Sequence, residues 1–376
     1  MPAPSESAPL LKDQLDGRAL ALIGRVAAHV HPDFDTRAYL AMAREGLDEL
    51  SIMQRMARAA DSLHAHLPAS YPRALKVVRR MAPQLPGGFV AMVLPEFVGR
   101  HGHEHLELSL DALRELTPYS TSEFGLRPFL ERASDEVLAQ ATRWAADTNE
   151  HVRRLASEGT RARLPWGRRL PFLSATPDLT LPILQQLQAD PSDYVRRSVA
   201  NHLNDLAKDQ PDWVLALLAR WPRQQAETRW ITKHALRNLV KAGNPRALEL
   251  VGAAHGAAVT LDRFAASPAR LQLGQTLQLS AALRSTAGES QRLVIDYAIH
   301  YVKQNGDTAR KVFKWRTLTL GAGEALALDK TQTITDFTTR KHHAGRHVVE
   351  LLVNGVSMAQ GHFKLSLVGT GASRTR

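Results

Sequence analysis

Cysteine is absent from this 376-residue sequence, and no long apolar run occurs in it. The missing cysteine excludes disulfides, thiol nucleophiles, thiolate zinc sites and iron–sulfur clusters. The apolar segment 89–98 contains Pro95 and Glu96 and is too short to cross a membrane. Any chemistry is therefore left to carboxylates, histidines, hydroxyls and basic groups.

A secretory leader is not expected at the N-terminus. Glu6, Asp13 and Asp16 precede the short apolar run 20–23, and Arg25 comes two residues after that run. A signal peptide has a basic start and a longer apolar region instead. We therefore expect a bacterial-type cytoplasmic protein without membrane association.

Acidic residues are too few to balance the basic ones. The sequence has 48 Lys and Arg against 37 Asp and Glu, which gives a net charge of +11. Residues 266–376 hold 15 basic and 7 acidic residues, whereas residues 1–265 hold 33 and 30. This excess favours a polyanionic partner, and it is concentrated in the C-terminal part.

Helical periodicity dominates residues 18–262, with apolar positions recurring every three or four residues between Pro, Gly and Asp turns. Three segments are similar: EHVRRLASEGT (150–160), DYVRRSVANHL (193–203) and, more weakly, RWITKHALRNL (229–239). They align Val152 with Val195 and Ile231, 43 and 36 residues apart. We predict an all-α HEAT-like repeat solenoid over 18–262. A helical bundle with a chance duplication is the alternative.

Alternation with period two replaces this pattern from residue 270 onward. RLVIDYAIHYV (292–302) and HVVELLVNG (347–355) are typical of strands, and Gly, Asn and Asp turns separate such segments. We predict an all-β immunoglobulin-like sandwich without a disulfide over 268–369. Residues 1–17 and 370–376 are expected to be flexible ends.

Arginines crowd the stretch NEHVRRLASEGTRARLPWGRRLPFL (149–173). On a helix, Arg154, Glu158 and Arg161 would share one stripe. A solvated Arg/Glu face is the simplest alternative, but the arginines outnumber the acids too strongly for self-neutralisation. We interpret the excess as phosphate contacts made by Arg153, Arg154, Arg161, Arg163, Arg168 and Arg169.

The other two similar segments repeat this combination. Arg196 and Arg197 are followed by Asp205, and the third segment supplies Lys233, His234 and Arg237. Equivalent helices of a repeat array line one face, so these side chains would form a basic track with embedded carboxylates. DNA binding alone would avoid the carboxylates, whereas chemistry on nucleic acid could require them.

Two histidine-rich segments are weaker candidates. HGHEH (101–105) fits no helical metal-ligand spacing and has no identifiable fourth ligand, so we expect neither a metal nor a cofactor. The sandwich segment TTRKHHAGRH (338–347) is interpreted as a basic DNA-contacting loop formed by Arg340, Lys341, His342 and His343.

Three long motifs resemble a known family: STSEFGLRPFLER (120–132), HVRRLASEGTRARLPW (151–166) and DPSDYVRRSVANHLNDLAKDQPDWV (190–214). With the later VELLVNG strand (349–355), they are similar to the AlkC branch of the alkylpurine DNA glycosylases, relatives of the AlkD proteins. The resemblance covers nearly the whole chain. It implies a monomeric HEAT-like repeat glycosylase for double-stranded DNA, with an added immunoglobulin-like domain that helps to grip the DNA.

The implied reaction is hydrolysis of the N-glycosidic bond of cationic alkylated bases, notably 3-methyladenine, with 3-methylcytosine as a further candidate. An N3-alkylated purine is already a cationic leaving group, so no general acid has to protonate it. Carboxylates would stabilise the oxocarbenium-like sugar and position water. The resemblance also implies that the enzyme acts on the sugar without a base-flipping pocket.

By this resemblance, Glu158 is the first candidate for the catalytic carboxylate, and Glu123 and Asp205 complete an acidic site. Trp166 would lie against the sugar–phosphate backbone or deoxyribose. The residues alone leave other interpretations open. Glu123 could end a capping box that starts at Ser120, Trp166 could fill a core, and Asp205 could be an exposed helix acid.

Two other functions remain open. A non-catalytic helical-repeat scaffold would bind DNA or an acidic protein and would keep its binding when Glu158 or Asp205 is neutralised. A metal-dependent hydrolase built on the HGHEH segment would be inhibited by chelators.

Overall fold

A computed structural model describes residues 10–337 and 341–367. The chain divides into two compact units, one of Met1–Val214 with Trp221–Ala235 and the other of Leu215–Arg220 with Leu236–Arg376. The predicted tail 370–376 and Arg340 of the predicted contact loop lie outside the described residues.

The first unit is helical. Its helices are α1 (Gly17–Val30), α2 (Thr36–Arg44), α3 (Ile52–His66), α4 (Tyr71–Met81), α5 (Phe89–His101), α6 (Leu106–Leu116), α7 (Glu123–Arg132), α8 (Ser134–Trp144), α9 (Glu150–Gly159), α10 (Pro171–Ala175), α11 (Leu181–Gln186), α12 (Asp193–Leu206), α13 (Pro211–Arg220), which runs into the second unit, and α14 (Ala226–Ala235).

Polar caps fix where several of these helices begin. The Asp16 side chain accepts the main-chain N–H groups of Arg18 and Ala19 at the start of α1, and Asn149 caps α9 in the same way. Of the segment 1–17 that is expected to be flexible, residues 1–9 lie outside the described residues, and Leu11–Leu15 forms a 3-10 helix. Burial of Leu15 holds that turn against the helices.

The helical repeat is confirmed, but the third copy starts in a different register. Val152 and Val195 are buried at the third residue of α9 and α12. The buried third residue of α14 is Thr228, 33 residues after Val195, so the alignment with Ile231 is wrong. Ile231 lies one turn further along the same buried face, which is why apolar periodicity selected it.

A shared arginine supports this register. Arg153, Arg196 and Arg229 each follow the buried third residue of their helix. Each donates through Nη1 to the main-chain carbonyls five and six residues earlier, at 2.6–3.2 Å, and thereby closes the turn that leads into its helix; the carbonyls are those of Asp147 and Thr148, of Asp190 and Pro191, and of Arg223 and Gln224.

The second unit contains short helices and a β-sandwich. Its elements are α15 (Arg237–Lys241), α16 (Pro245–Leu250), β1 (Val259–Ser267), β2 (Arg270–Gln272), β3 (Thr276–Ser285), β4 (Gln291–Val302), β5 (Thr308–Leu320), β6 (Ala325–Thr333), β7 (Gly345–Val353) and β8 (Val356–Ser366). One sheet has the order β1-β3-β6 and the other β2-β8-β7-β4-β5, with β2 and β8 parallel and the other pairs antiparallel.

The two sheets enclose an apolar core, which confirms the immunoglobulin-like sandwich. Leu283 of one sheet packs with Ile295 and Leu351 of the other. The sandwich begins at Val259, nine residues before the predicted boundary at 268. The first strand escaped prediction because its residues are only half-buried or exposed, and because its pairing with β3 is interrupted after Leu261.

Candidate active site

Three helices bring three carboxylates into one cluster. Glu123 is the first residue of α7, Glu158 lies in the last turn of α9, and Asp205 lies in the last turn of α12. All three are buried, although each belongs to a residue type that usually faces solvent. We call them, with their partners Arg154, Arg161, Ser198 and Lys208, the acidic cluster.

Arg154 joins two of the acids. Its Nη1 donates to Glu123 Oε2 and to Thr121 Oγ1, each at 2.9 Å. Its Nη2 lies 3.8 Å from Glu158 Oε1. The guanidinium also lies over the ring of Tyr194, 4.8 Å from the centroid. The three consecutive helical layers α7, α9 and α12 are thus linked through one side chain.

Arg161 joins Glu158 to the third acid, Asp205. Its Nη1 donates to Glu158 Oε1 at 2.5 Å, and its Nε and Nη2 donate to Asp205 Oδ2 at 2.9 and 2.6 Å. Ser198 Oγ donates to the second oxygen of Glu158 at 2.6 Å, and Lys208 Nζ donates to Asp205 Oδ1 at 3.0 Å. Both carboxylates are therefore oriented through each of their oxygens.

The charges of the acidic cluster balance, with three carboxylates against Arg154, Arg161 and Lys208. Burial acts to lower the pKa of Arg161, but the charges of Glu158 and Asp205 outweigh it and hold that pKa above its usual range. The same opposition raises the pKa of Arg154, whose main partner is Glu123. Both guanidinium groups consequently stay cationic although they are buried.

A neutral histidine lies beneath the acidic cluster. His202 is fully buried on α12, and its Nδ1 lies 3.1 Å from the Ser157 carbonyl on α9. Burial, assisted by the charge of Arg161, lowers the pKa of His202 to about 4. A neutral ring can donate from Nδ1 to that carbonyl without adding charge to the cluster.

Trp166 stands at the surface in the loop between α9 and α10. It is 63% exposed, so the alternative that it fills a core is wrong. Its backbone has a φ of 62°, a left-handed conformation that is strained for a bulky side chain. The ring of Phe89 is its aromatic neighbour, with centroids 6.1 Å apart. The fold thus holds an indole outward at a conformational cost.

Four of the predicted phosphate contacts have partners within the protein. Arg154 and Arg161 belong to the acidic cluster. Arg153 and Arg196 bind main-chain carbonyls at the turns described above, and Arg153 also donates to Asp190 at 2.6 and 3.1 Å. Local sequence shows the excess of arginine, but the neutralising acids and carbonyls belong largely to other segments.

The remaining predicted cations of the similar segments are nearer the surface. Arg163 pairs with Asp209, Arg168 with Glu131 and Arg197 with Asp193, while Arg169 is exposed. Lys233 is exposed on α14, and the ring of His234 stacks on Trp230 at 5.0 Å. Arg237 begins α15 and is half-buried in the second unit.

The predicted contact loop of the sandwich is only partly available. Lys341 is exposed, with its Nζ 3.5 Å from Asp336. His342 is buried and bound to Asp336 through its main-chain N–H and its ring, so it does not present a free side chain for the predicted DNA contact. His343 is half-buried, and its carbonyl lies 3.1 Å from the His347 ring.

The histidines of the HGHEH segment face separate partners. His101 lies 3.0 Å from Asp61 and stacks on His64, whereas the His105 ring stacks on Tyr71. His101 and His103 border a cavity of about 460 Å³ that also reaches Trp166. Among the described residues, no group of three or more His, Asp or Glu is arranged to hold a metal. Within the same residues, every helix is too short or too polar to span a bilayer.

Two residues beside the acidic cluster, Tyr194 and Ser198, were not predicted from the sequence. They precede Asp205 by 11 and 7 residues, so the three lie on one face of α12. That stripe was the available signal, and it was overlooked because only charged residues were considered.

Comparisons with known proteins agree with this architecture. Residues 120–239 match the family model described as DNA alkylation repair enzyme, and residues 260–367 match that of the C-terminal Ig-like domain of the uncharacterised protein YhaZ. The uncharacterized protein YhaZ of Bacillus subtilis (strain 168) is 39% identical over 338 residues, which cover 89% of this chain and 94% of YhaZ.

A solved structure extends the similarity to the whole fold. The alkylpurine DNA glycosylase AlkC of Pseudomonas fluorescens, bound to DNA containing an abasic site analog, is 47% identical with a TM-score of 0.93. The match covers 95% of this chain and 100% of that one. The helical repeats and the Ig-like domain that follows them place the protein in the class of DNA alkylation repair enzymes. The chain belongs to the AlkC family, which confirms the resemblance seen in the motifs.

Proposed function

We propose that this protein is a DNA glycosylase that hydrolyses the N-glycosidic bond of cationic alkylated bases in double-stranded DNA. Its first substrate is 3-methyladenine, and 3-methylcytosine is a second. The observation that carries the proposal is the convergence of Glu123, Glu158 and Asp205 in one ionic cluster, in a chain 47% identical to an alkylpurine DNA glycosylase.

The acidic cluster suits a reaction in which positive charge moves from the base to the sugar. A cationic base leaves without protonation, so the carboxylates are needed for the oxocarbenium-like sugar and for the attacking water. Glu158 is held by Arg161 at one oxygen and by Ser198 at the other, so little reorganisation is required when the sugar charge develops. This mechanism requires neither a metal nor a cofactor.

Trp166 and the exposed cations would meet the DNA. The outward indole of Trp166 offers an aromatic face to the sugar–phosphate backbone and to a sugar cation. Arg168, Arg169 and Arg197 supply exposed positive charge for phosphates, and Lys341 does so on the sandwich. We propose that the enzyme works as a monomer in the cytoplasm, at the nucleoid, and attacks the sugar without enclosing the base in a pocket.

Base release from defined oligonucleotides tests this function. The wild-type protein is incubated with duplexes containing one 3-methyladenine, one 3-methylcytosine or one uncharged lesion such as hypoxanthine, and free bases are separated by chromatography. We expect release of the two cationic bases and none of the uncharged one, because the acidic cluster cannot protonate a neutral leaving group. Release no faster than in protein-free DNA would refute the proposal.

A non-catalytic DNA-binding scaffold is the second candidate. It is favoured by one observation: each carboxylate of the acidic cluster already has a cationic partner, so the cluster could serve only to join α7, α9 and α12. A scaffold would bind the lesion duplexes and release no base from any of them. The same chromatographic assay, with DNA binding measured by fluorescence anisotropy, separates the two functions.

A further inference from the structure

The loop Thr160–Arg169 has a strained conformation that requires stabilising contacts. It connects α9 to α10 and presents Trp166 outward with the left-handed φ of 62°. A main-chain bond from Gly167 N–H to the Leu164 carbonyl closes the turn that contains Trp166, and one from Leu170 N–H to the Ala162 carbonyl joins the two ends of the loop. A strained conformation persists only where surrounding contacts over-determine it.

Arg127 of α7 supplies such contacts. It is 1% exposed, and the three hydrogen bonds it makes all go to main-chain carbonyls. Its Nε donates to the Arg168 carbonyl at 2.6 Å, and its Nη1 donates to the Arg161 and Gly159 carbonyls at 2.9 and 3.3 Å. Burial lowers its pKa to about 10, so the group stays cationic at neutral pH. One side chain therefore grips both ends of the loop.

The loop also packs closely on this side chain. A Cβ atom built on Gly167 would lie 3.2 Å from Arg127 Cδ and 3.0 Å from Leu164 Cδ2. Arg127 stands one turn after Glu123 on α7, so the helix that supplies one acid also holds the loop. The main chain of Arg161 is fixed by Arg127, while its guanidinium spans Glu158 and Asp205.

We propose that Arg127 is a positioning residue for the glycosylase reaction. It fixes the loop so that Trp166 faces the DNA and Arg161 keeps Glu158 and Asp205 in register. This role rests on the function proposed above. It predicts an effect on the rate of base release at saturating protein, with little effect on the affinity for DNA.

Arg55 offers a matched control in the same unit. It is also buried and also donates three hydrogen bonds to main-chain carbonyls, those of Lys12, Leu15 and Leu50. None of these residues belongs to the acidic cluster or to the loop. Arg127→Met and Arg55→Met should therefore lower stability by a similar mechanism, so a purely structural role predicts the same effect on activity for both.

The test combines single-turnover base release, DNA affinity and hydrogen exchange, at a temperature where each variant is folded. We expect Arg127→Met to release 3-methyladenine about 10-fold more slowly or worse, with amides 160–169 exchanging faster and DNA affinity within about twofold. Arg55→Met should keep the wild-type rate and loop protection. Equal rates for Arg127→Met and the wild type, or equal losses in both variants, would overturn the proposal.

Two further outcomes are distinguishable. Inactivity of the wild type would refute the proposed function, whereas an active wild type with an unimpaired Arg127→Met variant would refute only the role of Arg127. If Arg127→Met fails to fold, Gly167→Ala tests the same contact from the loop side. The added methyl must displace Leu164 or Arg127, so a wild-type rate and wild-type loop protection in Gly167→Ala would count against the proposal.

Discussion

Buried carboxylates have different surroundings in the two units of this molecule. In the helical repeats, Glu158 and Asp205 meet the Arg161 guanidinium at 2.5 and 2.6 Å. In the sandwich, Asp296 is equally buried but forms no ion pair or hydrogen bond with any described side chain. Burial raises its pKa to about 6, although Lys241 and Lys314 partly oppose the shift. The helical unit thus places cationic partners in direct contact with its buried acids, whereas no such partner contacts Asp296 among the described residues.

Removing the shared cation should produce the largest effect on stability. Arg161→Met leaves Glu158 and Asp205 buried without their guanidinium, so we expect the free energy of unfolding to fall by about 3–5 kcal/mol. Arg163→Met is the matched control, since its pair with Asp209 is about one-third exposed and its loss should lower stability far less. Urea unfolding of both variants measures the difference. Equal losses of stability in the two variants would show that the ion pairs of Arg161 stabilise the protein no more than an exposed ion pair does.

Acidification should change the stability of the two units in opposite directions. The pKa of His202 is about 4 in the folded state against 6.5 in the unfolded chain, so the unfolded state binds more protons between these values. The helical unit should therefore lose up to about 3 kcal/mol as pH falls from about 6.5 to 4. For Asp296 the folded pKa is the higher one, so its unit should lose stability as pH rises from about 4 to 6.

Hydrogen exchange can follow these pH effects locally. Opening free energies of amides in α12 and β4, corrected for intrinsic exchange, are compared at pH 4.5 and 7.5. His202→Asn should flatten the pH dependence in α12, and Asp296→Asn should flatten it in β4. Parallel changes in the two elements would contradict the assigned titrations.

The arginines of the two V-R-R sequences should divide into structural and DNA-binding residues. Arg153→Met removes the partner of buried Asp190 and two carbonyl bonds, so we expect a loss of about 2 kcal/mol in stability and no change in the salt dependence of DNA binding. Arg197 is exposed, so Arg197→Met should leave stability within about 0.5 kcal/mol and lower the slope of log affinity against log salt by about 1. A change in salt dependence on Arg153→Met, together with a loss of stability on Arg197→Met, would refute this division.

The smallest expected change in stability concerns Trp166. Glycine tolerates a φ of 62°, so Trp166→Gly should leave the free energy of unfolding unchanged or raise it by up to about 1 kcal/mol. Base release should nevertheless slow by about 10-fold, because the aromatic contact to the sugar is lost. Trp166→Ala retains the strain and should lose activity without the gain in stability. A marked fall in stability on Trp166→Gly would show that the indole serves packing.

Much of the architecture could be predicted from local pattern. Periodicity near 3.6 identified the helices, and alternation identified strands such as β4 and β7, because each of these elements buries one regular face. β1 was missed because it buries little, and the third repeat was placed three residues late because Ile231 and Thr228 share a buried face. Periodicity reports a buried face but not which turn of a helix begins a repeat.

The candidate site was predicted less completely than the fold, because the ion-pair partners of its arginines lie far away in the sequence. Glu123, Glu158 and Asp205 could be selected from the motifs, whereas the partners of the arginines could not. Arg161 meets Asp205 across 44 residues of sequence, and Arg154 meets Glu123 across 31. A local excess of positive charge therefore suggested phosphate binding where the fold instead pairs the arginines with buried acids.

Single-turnover kinetics with the Glu158→Gln variant test the catalytic role of Glu158. The rate of 3-methyladenine release at saturating protein and the affinity for the same duplex are measured together, with Asp209→Asn as the control for loss of an arginine-paired acid outside the cluster. We expect a rate lower by about 10²-fold or more, an affinity within about twofold of wild type, and a wild-type rate for the control. A Glu158→Gln rate within twofold of wild type, or a loss of rate explained by a loss of affinity, would contradict that role.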